Sequence, residues 1–217
     1  MTPIMAAKSL TAEVVLRWLE NCAETFEVHK DELTQLDAAI GDADHGANMA
    51  RGFTAVKGKL GELKGKDIGA IFKTTAMTLI STVGGASGPL YGTFFLQAAN
   101  GANGKMELTP SELATVFGAG LQGLMNRGKA AVGEKTMVDA LVPAMEALKP
   151  AGDESLGEVT GRAIAAAKKG RDSTVPLVAK KGRASYLGER SAGHLDPGAA
   201  SSVMLLEALQ KAEGASS

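Results

Sequence analysis

The apolar residues of this 217-residue chain recur every three or four positions, and no convincing stretch alternates with the period of a β-strand. Val15, Trp18, Leu19, Cys22 and Phe26 form one stripe of a helix expected from Thr11 to Val28. Leu33 and Leu36 mark a short helix from Asp31 to Ala39, and Met49, Phe53, Val56 and Leu60 mark another from Asn48 to Leu60. Asp67 is placed to cap an apolar helix through Ile68, Ile71, Phe72, Thr75, Leu79 and Val83. Pro89 suits the first turn of the next helix, which runs from about Leu90 to Ala99. Thr109-Pro110-Ser111-Glu112 supplies an N-cap, a proline at the first helical position and a capping-box glutamate; that helix ends near Arg127-Gly128. Lys135–Leu148 follows, then an Ala-rich helix from Glu158 to about Lys181 that Pro176 is expected to kink, and last Gly198–Ala212. The result is eight or nine helices in an all-α chain. No linker is long enough to force a division, so residues 1–217 are expected to form one domain with its core at about 10–212. Residues 1–8 read as a loose leader and the C-terminal tail as disordered.

Aromatic residues make up only 4% of the chain, against 27 glycines and 9 methionines, so the core is expected to rest on Ala, Leu, Val and Met. A net charge of −1 with mixed Lys and Arg argues against nucleic acid or an anionic membrane as the main partner. The single Cys22 permits no internal disulfide and fits a reducing compartment. No cationic start precedes an apolar segment, and no apolar run approaches the length of a membrane span. A cytoplasmic protein is the expectation.

The chemistry concentrates in Leu36-Asp37-Ala38-Ala39-Ile40-Gly41-Asp42-Ala43-Asp44-His45-Gly46-Ala47-Asn48, where three aspartates and a histidine fall within nine positions. Asp is a poor helix former and Gly admits unusual backbone angles, so this stretch reads as a shaped loop with converging carboxylates. Carboxylates this close repel one another unless a hard divalent cation takes their oxygens as ligands. The plainer alternative is an acidic turn with Asp42 or Asp44 as a helix cap. An EF-hand does not fit: counted from Asp42, its fifth position is Gly46 and its twelfth is Phe53. Zinc would want more than His45, so any metal here should be Mg²⁺ or Mn²⁺.

Polar, Gly-rich segments at 41–48, 84–89, 126–137 and 182–198 interrupt the helices, and binding residues concentrate on such loops. Gly84-Gly85-Ala86-Ser87-Gly88, opening a helix at Pro89, is a candidate anion cradle, with a tight helix–helix turn as the alternative. Gly128–Thr136 invites comparison with a nucleotide-binding P-loop, but it has one residue too many before Lys135 and follows a helix. Lys135 and Thr136 therefore read as residues that simply start a helix. Lys181–Ser191 is basic and flexible, as a phosphate-contacting lid would be, with an ordinary solvated loop as the alternative, and Asp196 is either a cap or a ligand-facing carboxylate. An acidic metal loop with Gly-rich and Arg-bearing loops fits a nucleotide-diphosphate–Mg²⁺ site.

Several of these stretches closely resemble the nucleotide-binding L-subunit family of dihydroxyacetone kinases (the DhaL family). They are Leu36-Asp37…Ile40-Gly41-Asp42-Ala43-Asp44-His45-Gly46, Val83–Thr93, Lys135-Thr136-Met137, Gly182–Arg190 and Gly193-His194…Asp196-Pro197-Gly198. The resemblance implies an antiparallel barrel of eight α-helices with the nucleotide, ADP or ATP, at one end. It implies that Asp37, Asp42 and Asp44 hold two Mg²⁺ ions bridging the phosphates, and that His45, Gly46, Ala47, Asn48, Ala86 and Ser87 contact nucleotide. Gly128 and Met137 would line its adenine or ribose side, while Arg183 and the Asp196-Pro197-Gly198 turn would close over it. The acidic motif is unsubstituted.

The implied reaction is phosphoryl transfer to a hydroxyl of a small ketose, dihydroxyacetone or a relative such as erythrulose, held by a separate K subunit. Asp37, Asp42, Asp44 and Arg183 would carry the catalysis, and the chain alone would be inactive. In the phosphotransferase-system version, which a free-standing chain favours, ADP stays bound and is rephosphorylated by a phosphohistidine on an M subunit. In the other version ATP and ADP exchange at each turnover. The loops at 100–105 and 150–157 and the lid at 182–198 are expected to govern how freely nucleotide leaves. A nucleotide-state-dependent regulator that binds a transcription factor is the alternative of another class, and the sequence leaves a homodimer open.

Overall fold

The computed structural model describes residues 9–150 and 153–214; the expected leader and the last residues of the tail lie outside the described residues. Five helix starts are set by the residue one position before them. Thr11, Asp67, Thr109, Thr136 and Ser155 each accept a hydrogen bond from a first-turn N–H, opening α1 (Ala12–Val28), α4 (Ile68–Thr82), α6 (Pro110–Gly128), α7 (Met137–Ala147) and α8 (Leu156–Ser173). Glu112, Asp139 and Glu158 complete capping boxes in the last three. The remaining helices are α2 (Lys30–Ile40), α3 (His45–Lys57), α5 (Ser87–Gly101) and α9 (Pro197–Gly214).

Helices α3 to α9 pack in chain order, each against the next, and α1 closes the ring between α9 and α3. The starts of α3, α5, α7 and α9 gather at one end with the last turn of α6, so successive members alternate in direction. The result is an all-α barrel of eight antiparallel helices, with the short α2 set against α3 and α9. At the opposite end, β1 (Leu10–Thr11) pairs antiparallel with β2 (Glu107–Leu108), the only strands among the described residues. Aliphatic residues and methionines fill much of the core as expected, but Trp18, Phe72, Phe94, Phe95 and Phe117 form an aromatic cluster within it. Trp18 packs on Phe72, Phe95 and Phe117 with ring centroids 6.1, 5.7 and 5.6 Å apart, and its indole N–H donates to the Leu205 carbonyl at 2.8 Å.

The structure corrects several element boundaries. Helix α3 starts at His45 rather than Asn48, and Leu60 falls in a separate 3-10 turn, Leu60–Leu63. Helix α5 starts earlier too, at Ser87, and it absorbs Asn100. Helix α8 is not kinked by Pro176: it stops at Ser173. The residue before a proline avoids the helical region, and the carbonyls of Thr174 and Val175 turn instead to the Lys135 ammonium. The 100–105 connection and residues 153–157 lie at the strand end of the barrel. Lys105 accepts there from the Ile68 N–H, and Ser155 caps the start of α8, so neither can gate the other end.

Glu213 is buried on α9 with Oε2 accepting from Thr160 at 2.9 Å and Oε1 unpaired among the described residues. Burial pushes its pKa up to about 7 against the opposing Thr160 hydrogen bond. The folded state therefore holds a proton that the unfolded chain releases above about pH 4.5, and stability falls as pH rises through about 7. Glu213→Gln is expected to remove about 2 kcal/mol of that fall between pH 5 and pH 8 in denaturant unfolding. Asp196, also raised to about 7, leaves a residual slope. Identical pH dependence in variant and parent would exclude this assignment.

Candidate nucleotide–metal site

The acidic loop is shaped by the junction of α2 and α3. Asp37, on the last turn of α2, accepts the backbone N–H groups of Asp44 and His45 on Oδ2 at 2.9 and 3.1 Å. It thus caps α3 from a neighbouring helix, and Asp44, the residue in the N-cap position, makes no side-chain capping bond. The acidic-turn reading, in which Asp42 or Asp44 caps the helix, is therefore not what forms. Carboxylate oxygens of Asp37, Asp42 and Asp44 instead lie within 4.8 Å of one another. The chain between them is tightly specified. A Cβ on Gly41 would lie 2.0 Å from Asp37 Oδ1, and Ala43 takes φ 61°. Three carboxylates at this spacing, two of them not used in capping, fit a hard divalent cation with oxygen ligands.

These acids form one wall of a cavity of about 570 Å³ at the end of the barrel. Gly84, Gly85, Ala86 and Ser87 form the next wall, with Gly85 at φ 64°, a conformation natural to glycine. No side chain caps the first turn of α5 behind this turn, so its N–H groups and helix dipole suit an anion. Pro89, Leu90, Leu124, Ala130, Met137 and Val138 give a third, largely apolar side, as a flat heterocycle would require.

His45 joins two walls. Its Nδ1 lies 3.1 Å from Ser87 Oγ and its Nε2 lies 2.9 Å from Ser201 Oγ. Ser201 in turn contacts the Tyr91 hydroxyl at 2.8 Å, which also reaches Ser202 at 2.9 Å. Burial lowers the His45 pKa against the pull of Asp37 and Asp44, favouring a neutral ring that orders hydroxyls over a proton carrier. Burial also raises the Tyr91 pKa, to about 12.

Arg183 reaches across the mouth from the 3-10 segment Arg183–Ser191, with Nε 2.9 Å from Asp42 Oδ2 and a side chain 66% exposed. Asp196 is buried and accepts from the Ala199 N–H at 2.7 Å, so it starts α9 while facing the cavity. Burial raises its carboxyl to about 7, with the Ala199 N–H and the Lys135 charge opposing and Asp139 and Asp37 adding.

Most residues singled out from the sequence meet at this cavity: Asp37, Asp42, Asp44, His45, Ala86, Ser87, Gly128, Met137, Arg183, Asp196, Pro197 and Gly198. Gly46, Ala47 and Asn48 stand behind its lining. A Cβ on Gly46 would lie 1.9 Å from the Lys30 carbonyl oxygen, so its place is in the packing of α3 on α2. The Asn48 side chain supports the Gly84 turn and accepts from Arg51. Sequence reasoning missed Lys135, taken for an ordinary helix start; it is buried, with φ 61°, and lines the cavity. Its partners are backbone carbonyls 39 to 59 residues away, which no local pattern signals.

The chain is 47% identical over 203 residues to the "PEP-dependent dihydroxyacetone kinase, ADP-binding subunit DhaL" of Escherichia coli, covering 93% of this chain and 97% of that protein. It is 43% identical over 202 residues to the "PTS-dependent dihydroxyacetone kinase, ADP-binding subunit DhaL" of Lactococcus lactis, covering 92% and 97%. Among solved structures, the dihydroxyacetone kinase from C. freundii in complex with AMP-PNP and Mg²⁺ superposes with a TM-score of 0.70 at 25% identity, covering 97% of this chain and 36% of that longer one. Residues 39–211, from the last turns of α2 to the last turn of α9, match the DAK2 domain. The match takes in most of the chain and every residue lining the cavity except Asp37, and the chain belongs to the DAK2-domain family.

Proposed function

We propose that this chain is the ADP-binding subunit of a phosphotransferase-type dihydroxyacetone kinase, acting as a single nucleotide-binding domain over about residues 10–212. The observation that carries the reading is the meeting of three carboxylates, an uncapped helix start and an apolar wall around one cavity. The DhaL relatives and the C. freundii complex with AMP-PNP and Mg²⁺ support it. In this reading Asp37, Asp42 and Asp44 hold two Mg²⁺ ions, which when bound neutralise phosphate charge.

The chain's own groups bind and orient. The N–H groups around Ser87 take phosphate oxygens, and His45 fixes the Ser87 hydroxyl. Met137, Leu90 and Leu124 bury the base, with Gly128 and the Asp196-Pro197-Gly198 turn beside it. Arg183, freed from Asp42, turns its guanidinium to the phosphoryl group in transfer. Gly46 and Asn48 contribute by holding the start of α3 in place, with Ala47 between them in the chain. The ketose is held by a separate K subunit, and the resident ADP is rephosphorylated by a phosphohistidine on an M subunit.

Mass spectrometry of nucleotide released by denaturing the extensively dialysed protein tests this directly. ADP at close to one equivalent is the expected result. An empty protein that acts only with added ATP and a K subunit would replace the resident cofactor by an exchanging one. A protein that never binds Mg²⁺-nucleotide would overturn the assignment.

A further inference from the structure

Three loops meet where the starts of α7 and α9 line the cavity, and the Lys135 ammonium sits at their junction. The Lys135 side chain is buried, and its Nζ donates to the carbonyls of Thr174 at 2.6 Å, Val175 at 3.4 Å and His194. Asp139 and Asp196 face the same ammonium from the starts of α7 and α9. Around it the segments are stitched by neutral bonds. Lys180 N–H donates to the Glu134 carbonyl at 3.1 Å, Gly193 N–H to the Val175 carbonyl at 2.8 Å, and Asp196 N–H to Thr174 Oγ1 at 3.1 Å. The 174–181 segment leads directly into Arg183, residue 194 into the Asp196-Pro197-Gly198 turn, and Lys135 itself into Met137.

We propose that Lys135 is a positioning residue for nucleotide, its buried ammonium fixing the Met137 wall, the Asp196 turn and the root of the Arg183 lid relative to one another. The proposal rests on the nucleotide-site reading above. Its physical basis is that carbonyl dipoles and carboxylates converging on one point repel one another without a cation between them. The backbone of Lys135 sits in the left-handed region, so the fold holds this side chain at the cost of local strain. None of the ammonium's hydrogen-bond partners belongs to the Asp37–Asp44 loop. Loss of the cation should therefore loosen the base and lid side while leaving the acids able to take a metal ion.

The test uses the full chain, freed of nucleotide, with ADP affinity in Mg²⁺, binding of Mn²⁺ alone by electron paramagnetic resonance, and helical melting measured side by side. Lys135→Met is expected to weaken ADP by roughly 20-fold, with Mn²⁺ binding within about two-fold of the parent. Lys135→Gly, which accepts the left-handed backbone, carries the same comparison should the Met variant not fold. In that variant n-butylammonium, and not n-butanol, is expected to recover ADP affinity, because it restores the missing cation. ADP binding within about three-fold of the parent, or ADP and Mn²⁺ binding lost together, would overturn the positioning role. A parent chain that binds Mn²⁺ but no ADP would instead defeat the nucleotide-site reading itself.

Discussion

Asp44→Ala is expected to abolish Mg²⁺-dependent nucleotide binding while leaving the helical fold nearly as stable as before. Both halves follow from where the carboxylate is. It shares a 4.8 Å cluster with Asp37 and Asp42, yet makes no capping bond to the helix that it precedes. Removing a ligand oxygen should cost on the order of 100-fold in affinity or more, since even outer partners of metal ligands contribute 10–100-fold. Removing a side chain that caps nothing should cost at most a few tenths of a kcal/mol of stability.

Asp37→Ala provides the contrast. Its Oδ2 accepts two N–H groups at the start of α3, so that variant should lose both binding and about 1 kcal/mol or more of stability. Isothermal titration with Mg²⁺-ADP beside urea unfolding separates the two. Tight binding retained in Asp44→Ala would refute the metal assignment, and equal stability of the two variants would refute the capping role of Asp37.

Gly46→Ala should be the most damaging single methyl group near the site. The added Cβ would stand 1.9 Å from the Lys30 carbonyl oxygen, a backbone atom of α2 that no rotamer change can move aside, and 2.5 Å from the Thr34 side chain at Oγ1. Helices α2 and α3 must separate, at a cost of about 3 kcal/mol. Because Asp37 rides on α2 and accepts N–H groups from the first turn of α3, the separation also pulls apart the carboxylate cluster. Thermal unfolding together with Mn²⁺ binding checks this. A variant with native stability that only lost nucleotide would return Gly46 to the role of a ligand contact.

What the sequence revealed and what it hid divide along a physical line. The capping box at Thr109 and the Asp67 cap are interactions over three residues, and they could be read from the letters and formed as read. The acidic loop was legible because its carboxylates are neighbours in the chain. The start of α3 was misplaced because its cap comes from Asp37, eight residues before His45. The end of α8 was misread because it depends on an ammonium 39 residues earlier, at Lys135. His45 was singled out, but its two hydroxyl partners lie 42 and 156 residues away, so its role in joining walls appears only in three dimensions. Motif resemblance gathered the cavity residues across these distances, yet it did not separate Gly46, which packs helices, from the lining.

The barrel also sets terms for how this fold can be joined to anything else. Both described ends of the chain lie away from the cavity. Leu10 pairs with Leu108 at the strand end, and Glu213 meets Thr160 near the start of α8, a helix whose other end reaches Lys135. Helix α6, at 19 residues, measures that separation as about 28 Å. A tether from either end therefore needs about eight or nine fully extended residues merely to draw level with the mouth. Any fused domain meant to face the nucleotide must span the barrel by its own bulk or by a longer leash, whereas a free partner can approach the open end head-on.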